Sequence, residues 1–197
     1  MTMEEPRRDG TEIYLHDHGL DQEADALSDS TCYSLMWSGH RFPTSVHAYH
    51  WAKFLDPTLR EWVRKATTPR EAVELAAFYR SEWRPDWERQ KVGVMRQLLR
   101  AKLQQHEHVR CALLGTGNRL LIHEAPDDEF WGSGASGRGR NMLGLLWMEL
   151  RAELRGSVGV PPRRDLAIPK RPLVITFPIT PLPASLERAL STTSSST

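Results

Sequence analysis

Lys53 stands in the run HAYHWAKFL among aromatic and apolar neighbours. A lysine with a desolvated ammonium gives up its proton more easily and becomes a nucleophile toward a sugar C1 or an aldehyde. His47 and His50 precede it at steps of three, so a helix here places the three on one face. Far downstream, Asp127, Asp128 and Glu129 come directly before Phe130 and Trp131. A carboxylate against an apolar wall is a candidate general acid or base. The run FWGSGASGRGRNMLG follows, from Phe130 to Gly144. Its small residues allow backbone amides to converge on an anion, a helix beginning near Asn141 adds positive potential, and Arg138 and Arg140 add charged forks. Trp87 and Trp131 sit beside charged residues and turns, where an indole can stack on a planar base.

Gly132, Gly134 and Gly137 match the dinucleotide pattern G-x-G-x-x-G. That pattern needs a strand running straight into the glycines within a βαβ unit. Here PDDEF intervenes and no repeated βαβ pattern surrounds it, so a dinucleotide fold is not expected. The histidines supply too few ligands at suitable spacing for a metal site. No metal or cofactor is implied.

These residues need elements to hold them. Glu12 to Leu15 has the pattern of a short strand, and Cys32 to Pro43 that of a hairpin with a glycine turn. Thr44 or Ser45 can cap a helix through HAYHWAKFL, and Pro57 and Pro69 each suit a first helical turn. Between Asp86 and Gln105, Val92, Met95, Leu99 and Leu103 recur at helical spacing on one buried stripe. A short helix over His108 to Leu114, a strand over Leu120 to Ala125, and a last helix from Asn141 with Leu143, Leu146, Leu150 and Leu154 on one face complete the pattern. The fold class is mostly α, an α+β chain with a few short strands in one compact domain.

With 197 residues, 40% of them hydrophobic, the chain can build one sizeable core. Residues 1–25 form a variable lead-in, residues 26–156 the domain, and residues 157–197 a proline-rich strap with a serine-threonine tail. Twenty-six basic residues against 25 acidic ones give no global field for nucleic acid or an anionic membrane. Apolar runs fall short of a bilayer span, and the N-terminus has no signal-peptide pattern. A cytoplasmic protein is expected, with Cys32 and Cys111 as reduced thiols.

In order and spacing, FPTSVHAYHWAKF, PDWERQKVGVMRQLLRAKLQQH and LLGTGNRLLIHEAPDDEFWGSGASGRGRNMLGLLWMELRAEL together resemble the NADAR, or YbiA-like, family. The likeness spans Leu27 to Leu154, and its hallmark W-G-x-G-x-x-G-x-G-x-N-x-L-G is complete from Trp131 to Gly144. The resemblance implies a mostly helical fold and hydrolysis of an N-glycosidic bond at a ribose C1. In YbiA-type members the substrate is a phosphorylated ribosylamino-pyrimidine related to riboflavin biosynthesis, which yields the base and ribose 5-phosphate. Other members remove ADP-ribose from guanine in nucleic acid. Carried over by position, Lys53 and Asp128 become catalytic. Trp87, Trp131, Arg138 and Asn141 become substrate-binding residues, and Gly132 and Arg140 join them from the reading of the loop as a phosphate cradle.

The chain departs from the family pattern at the expected pocket. Val46 replaces a glutamate, His50 replaces a glutamine, and Leu27-Ser28-Asp29-Ser30 stands where many members have F-S-N-F. Asp29, His47 and His50 are the candidates to fill the vacancy and bind substrate. Three functions stay open: hydrolysis of a small ribosyl phosphate, hydrolysis of ADP-ribosyl-guanine on nucleic acid, and nucleotide binding without turnover.

Overall fold

The computed structural model describes residues 11–15, 26–28, 31 and 33–156. Asp29, Cys32, the expected strap and most of the lead-in lie outside them. Four short strands are described: β1 (Glu12–Leu15), β2 (Leu35–Trp37), β3 (His40–Phe42) and β4 (Leu120–His123). Six helices carry most of the chain: α1 (Ser45–Trp51), α2 (Pro57–Lys65), α3 (Pro69–Phe78), α4 (Trp87–Gln105), α5 (Glu107–Gly115) and α6 (Met142–Gly156). The architecture is therefore mostly α with a few short strands, as the sequence pattern implies.

Local chemistry sets most of these boundaries. Strands β2 and β3 pair antiparallel across Ser38 and Gly39, whose φ values of 50° and 79° match the twist a tight hairpin needs. The side chain of Thr44 accepts from His47 N–H to cap α1, and those of Asp56 and Thr68 cap α2 and α3, each followed by a proline. On α4 the buried face comprises Met95, Leu99 and Leu103 from the expected stripe, joined by Trp87, Val94, Leu98 and Lys102. Val92 is only half-buried, because the face turns toward a stripe one residue further round.

The long-range pairing is not legible from spacing. β1 runs parallel to β4, with Glu12 opposite Leu120 and Leu15 opposite His123. Helix α6 packs on β4, and its Leu143, Leu146, Trp147 and Leu150 are buried. The Trp147 indole N–H donates to the Leu27 carbonyl at 3.0 Å, tying the N-terminal part of the domain into the same core. α1 packs against α2, α3 and α4, so the segment carrying Lys53 is held on several sides. Among the described residues no helix is long and apolar enough to cross a membrane.

Candidate active site

Lys53 follows α1 in a turn whose backbone is fixed from outside. Its carbonyl accepts from Arg84 N–H at 2.7 Å, and Phe54 and Trp83 form an isolated antiparallel bridge. The side chain is 6% exposed, with Nζ 4.1 Å from the Trp83 ring centroid, 5.3 Å from Tyr49 and 5.8 Å from Trp87. Burial pulls its pKa down to about 8, and the charge of Arg80 adds to that, while Glu88 and Asp128 oppose it. At pH 7 about 10% of such an amine is unprotonated, against well under 0.1% of a free lysine. Lys53 therefore combines a nucleophile's chemistry with an aromatic enclosure.

Asp128 stands on the facing loop. Its Oδ1 accepts from the N–H groups of Phe130 and Trp131 at 2.8 and 2.7 Å, a local turn that fixes the carboxylate. The Trp131 indole N–H then donates to the Tyr49 hydroxyl at 3.2 Å. Tyr49 also meets Trp87 edge-on, with ring centroids 5.0 Å apart. A chain of aromatic contacts thus runs from the glycine loop through α1 to α4.

Between these elements lies an open cleft of about 1460 Å³. Pockets that enclose drug-sized ligands are typically about 300–1,000 Å³, so the cleft has room for a nucleotide-sized molecule. Lys53, His50, Trp87, Asp128 and Trp131 line it, and Val46 lies in the same wall. His50 is held well below the ordinary histidine range, by burial first and then by the charges of Lys53 and His47. Its Nδ1 is buried without a hydrogen-bond partner.

Five expected binding residues do not line the cleft. The ring of His47 is 1% exposed, with Nδ1 2.8 Å from Thr44 Oγ1 and Nε2 3.1 Å from the Ala66 carbonyl. It locks α1 to the end of α2. The shared face with Lys53 is not formed, because α1 ends at Trp51 and steps of three drift around a helix by about 60° each.

The glycine loop also has a different job from the one its composition suggests. Its amides do not converge on an anion: those of Gly132, Ser133, Gly134, Gly139, Arg140 and Asn141 donate to backbone carbonyls. The first amides of α6 are also occupied, Met142 and Leu143 donating to the carbonyls of Phe130 and Trp131. Arg138 and Arg140 are exposed and outside the cleft lining. A Cβ on Gly132 would lie 2.6 Å from that of Ala125, so this glycine serves close packing.

Asn141, at φ 48°, acts as a side-chain substitute for a neighbouring strand: Oδ1 accepts from His123 N–H at 2.9 Å and Nδ2 donates to the Leu121 carbonyl at 2.8 Å. Gly144 lets α6 approach so closely that a Cβ would lie 2.0 Å from Leu121 O. The loop fastens β4 to α6, and Asp128 and Trp131 at its start line the same cleft as Lys53.

Sequence reasoning also missed lining residues. Arg80 and Lys91 bring cations to the cleft in place of Arg138 and Arg140, with the Lys91 ammonium 3.7 Å from the Phe130 ring centroid. Each looks like an ordinary solvated charge in the sequence. Trp83, Tyr49 and His123 carry no spacing signal at all. Among the described residues no group of three or more His, Cys, Asp or Glu is placed to hold a metal ion.

A helical scaffold arranges a buried lysine, a fixed carboxylate and indoles set edge-on to Tyr49 around a nucleotide-sized cleft. Residues 18–155 match the NADAR domain family, and the chain belongs to it. It is 38% identical to N-glycosidase YbiA of Escherichia coli (strain K12) over 128 residues, 65% of this chain and 80% of that protein. It is 35% identical over 127 residues to the chloroplastic riboflavin biosynthesis protein PYRR of Zea mays, a match covering 59% of this chain and 20% of that one. The fold is similar to the NMR structure of the Escherichia coli protein YbiA, with a TM-score of 0.68 and 30% identity over 80% of this chain and 96% of that one.

Proposed function

We propose that the chain is an N-glycosidase that hydrolyses the N-ribosyl bond of a phosphorylated ribosylamino-pyrimidine related to riboflavin precursors. Ribose 5-phosphate and the free base are the products. Kinship with named N-glycosidases and a riboflavin biosynthesis protein supports the reaction class. The observation that carries it here is Lys53, 6% exposed, with a pKa of about 8 and the Asp128 charge within its reach.

In this reading the bond between C1 and the base nitrogen breaks with its electron pair leaving on the base, which takes up a proton. The developing positive charge at C1 is stabilised by the Asp128 carboxylate. Lys53, as the neutral amine, attacks C1 of the sugar, and water then releases the sugar and regenerates the amine. Trp87 and Trp131 frame the base and ribose. Arg80 and Lys91 meet the phosphate, the role that composition suggests for Arg138 and Arg140.

The test is release of ribose 5-phosphate from a ribosylaminopyrimidine 5′-phosphate by wild type, Lys53→Ala and Asp128→Asn. Wild-type turnover lost in both variants is expected, by about 10²-fold or more. No wild-type release, or equal rates in all three, overturns the reading.

A further inference from the structure

Val46, Met95 and His123 belong to the deep wall of the cleft, exposed by 8%, 2% and 6%. The first two offer only apolar side-chain atoms. His123 has a buried Nδ1 with no hydrogen-bond partner, although its backbone is held firmly: N–H donates to Asn141 Oδ1 at 2.9 Å and the carbonyl accepts from Ser133 N–H at 2.9 Å. A buried imidazole nitrogen left unsatisfied is destabilising. Rigid backbone and unmet polar demand together fit a residue waiting for a ligand.

We propose that His123 reads the base. Its imidazole hydrogen-bonds to a polar edge of the released heterocycle, while Val46 and Met95 pack against the ring. This inference rests on the N-glycosidase reading for the identity of the ligand, a planar heterocycle with amino or carbonyl groups on its edge. A neutral imidazole can accept from an amino group or donate to a carbonyl. It therefore selects for a polar group at that place, and rejects a base that would leave the nitrogen unpaired.

The experiment titrates isotope-labelled wild-type protein with a free diaminouracil and, separately, with ribose 5-phosphate, following the His123 ring nitrogens by NMR. The base is expected to move them and the sugar phosphate to leave them unchanged. Calorimetry with His123→Phe is expected to show base affinity reduced about tenfold or more and ribose 5-phosphate affinity changed less than about twofold, with His123→Gln retaining base affinity within about threefold. Thermal melts of both variants check that the fold is kept, so that a selective loss of base affinity is read on folded protein.

Movement with ribose 5-phosphate alone, no movement with either ligand, or equal loss of both affinities overturns the inference. Failure of the hydrolysis reading shows separately, as base bound at His123 without release of ribose 5-phosphate from the full substrate.

Discussion

Trp131 donates its indole N–H to the Tyr49 hydroxyl at 3.2 Å, joining the glycine loop to α1 across 82 positions of sequence. Through this contact the element that holds Asp128 is registered against the element that leads to Lys53. Trp131→Phe and Tyr49→Phe each remove the bond while leaving an aromatic ring. A double-mutant cycle by chemical denaturation is expected to give a coupling energy of about 0.5–1.5 kcal/mol. Strict additivity would show that the two elements are registered by other contacts.

Lys53 links function to pH in a direction that can be worked out. Burial lowers its pKa to about 8, so in the window from about pH 8 to 10 the unfolded chain holds a proton that the folded one does not. Stability contributed by this group therefore rises with pH across that window, and below it the fold carries a buried charge. Lys53→Met should show a pH-dependent gain of up to about 2–3 kcal/mol at about pH 6 that vanishes above about pH 10. The Trp83 face at 4.1 Å favours the charged form and keeps the gain below the upper figure. Denaturation curves at acidic and alkaline pH read the difference, and a gain independent of pH would contradict a lowered pKa.

Two glycines test whether the loop is a fastening. At Gly144 a Cβ would collide with Leu121 O at 2.0 Å and with the Asn141 amide at 2.6 Å, both parts of the join between β4 and α6. Gly144→Ala should cost about 2–4 kcal/mol by forcing that backbone apart. Gly93, inside α4, has nothing within 4 Å of a Cβ. Gly93→Ala should stabilise by about 0.5–1 kcal/mol, because alanine favours the helix. Thermal melts of the pair, with opposite signs, check both.

Legibility in the sequence followed the range of the forces involved. The cap at Thr44, the prolines that open α2 and α3, the turn at Ser38 and Gly39, and the helices α1 to α6 are set by neighbours a few residues apart. Parallel pairing of Glu12 with Leu120 is not, since nothing in either run names its partner. The same division holds in the cleft. Lys53 and Asp128 stand out through their aromatic company, whereas Arg80 on the turn after α3, Lys91 on α4 and His123 on β4 come to one cleft only through tertiary packing. The glycine motif was conspicuous for its composition, yet its amides are occupied by carbonyls, a fact that composition does not carry.

Val46 faces the cleft one helical turn before His50, whose imidazole is held well below its ordinary range by burial and by neighbouring positive charge. Val46→Glu places a carboxylate four residues from that ring on the same face of α1. An anion there favours protonated His50 and protonated Lys53, so both should titrate higher than in the wild type. The ascending limb of any pH–rate profile governed by loss of the Lys53 proton should then move above about pH 8. A carboxylate at a position only 8% exposed also needs solvation, and a loss of about 1–3 kcal/mol in stability is expected at neutral pH. NMR titration of His50 beside a denaturation curve measures both effects. An unmoved His50 in a variant that has lost stability would mean that the new carboxylate turns away from the cleft, and that a single substitution at Val46 does not restore its electrostatics.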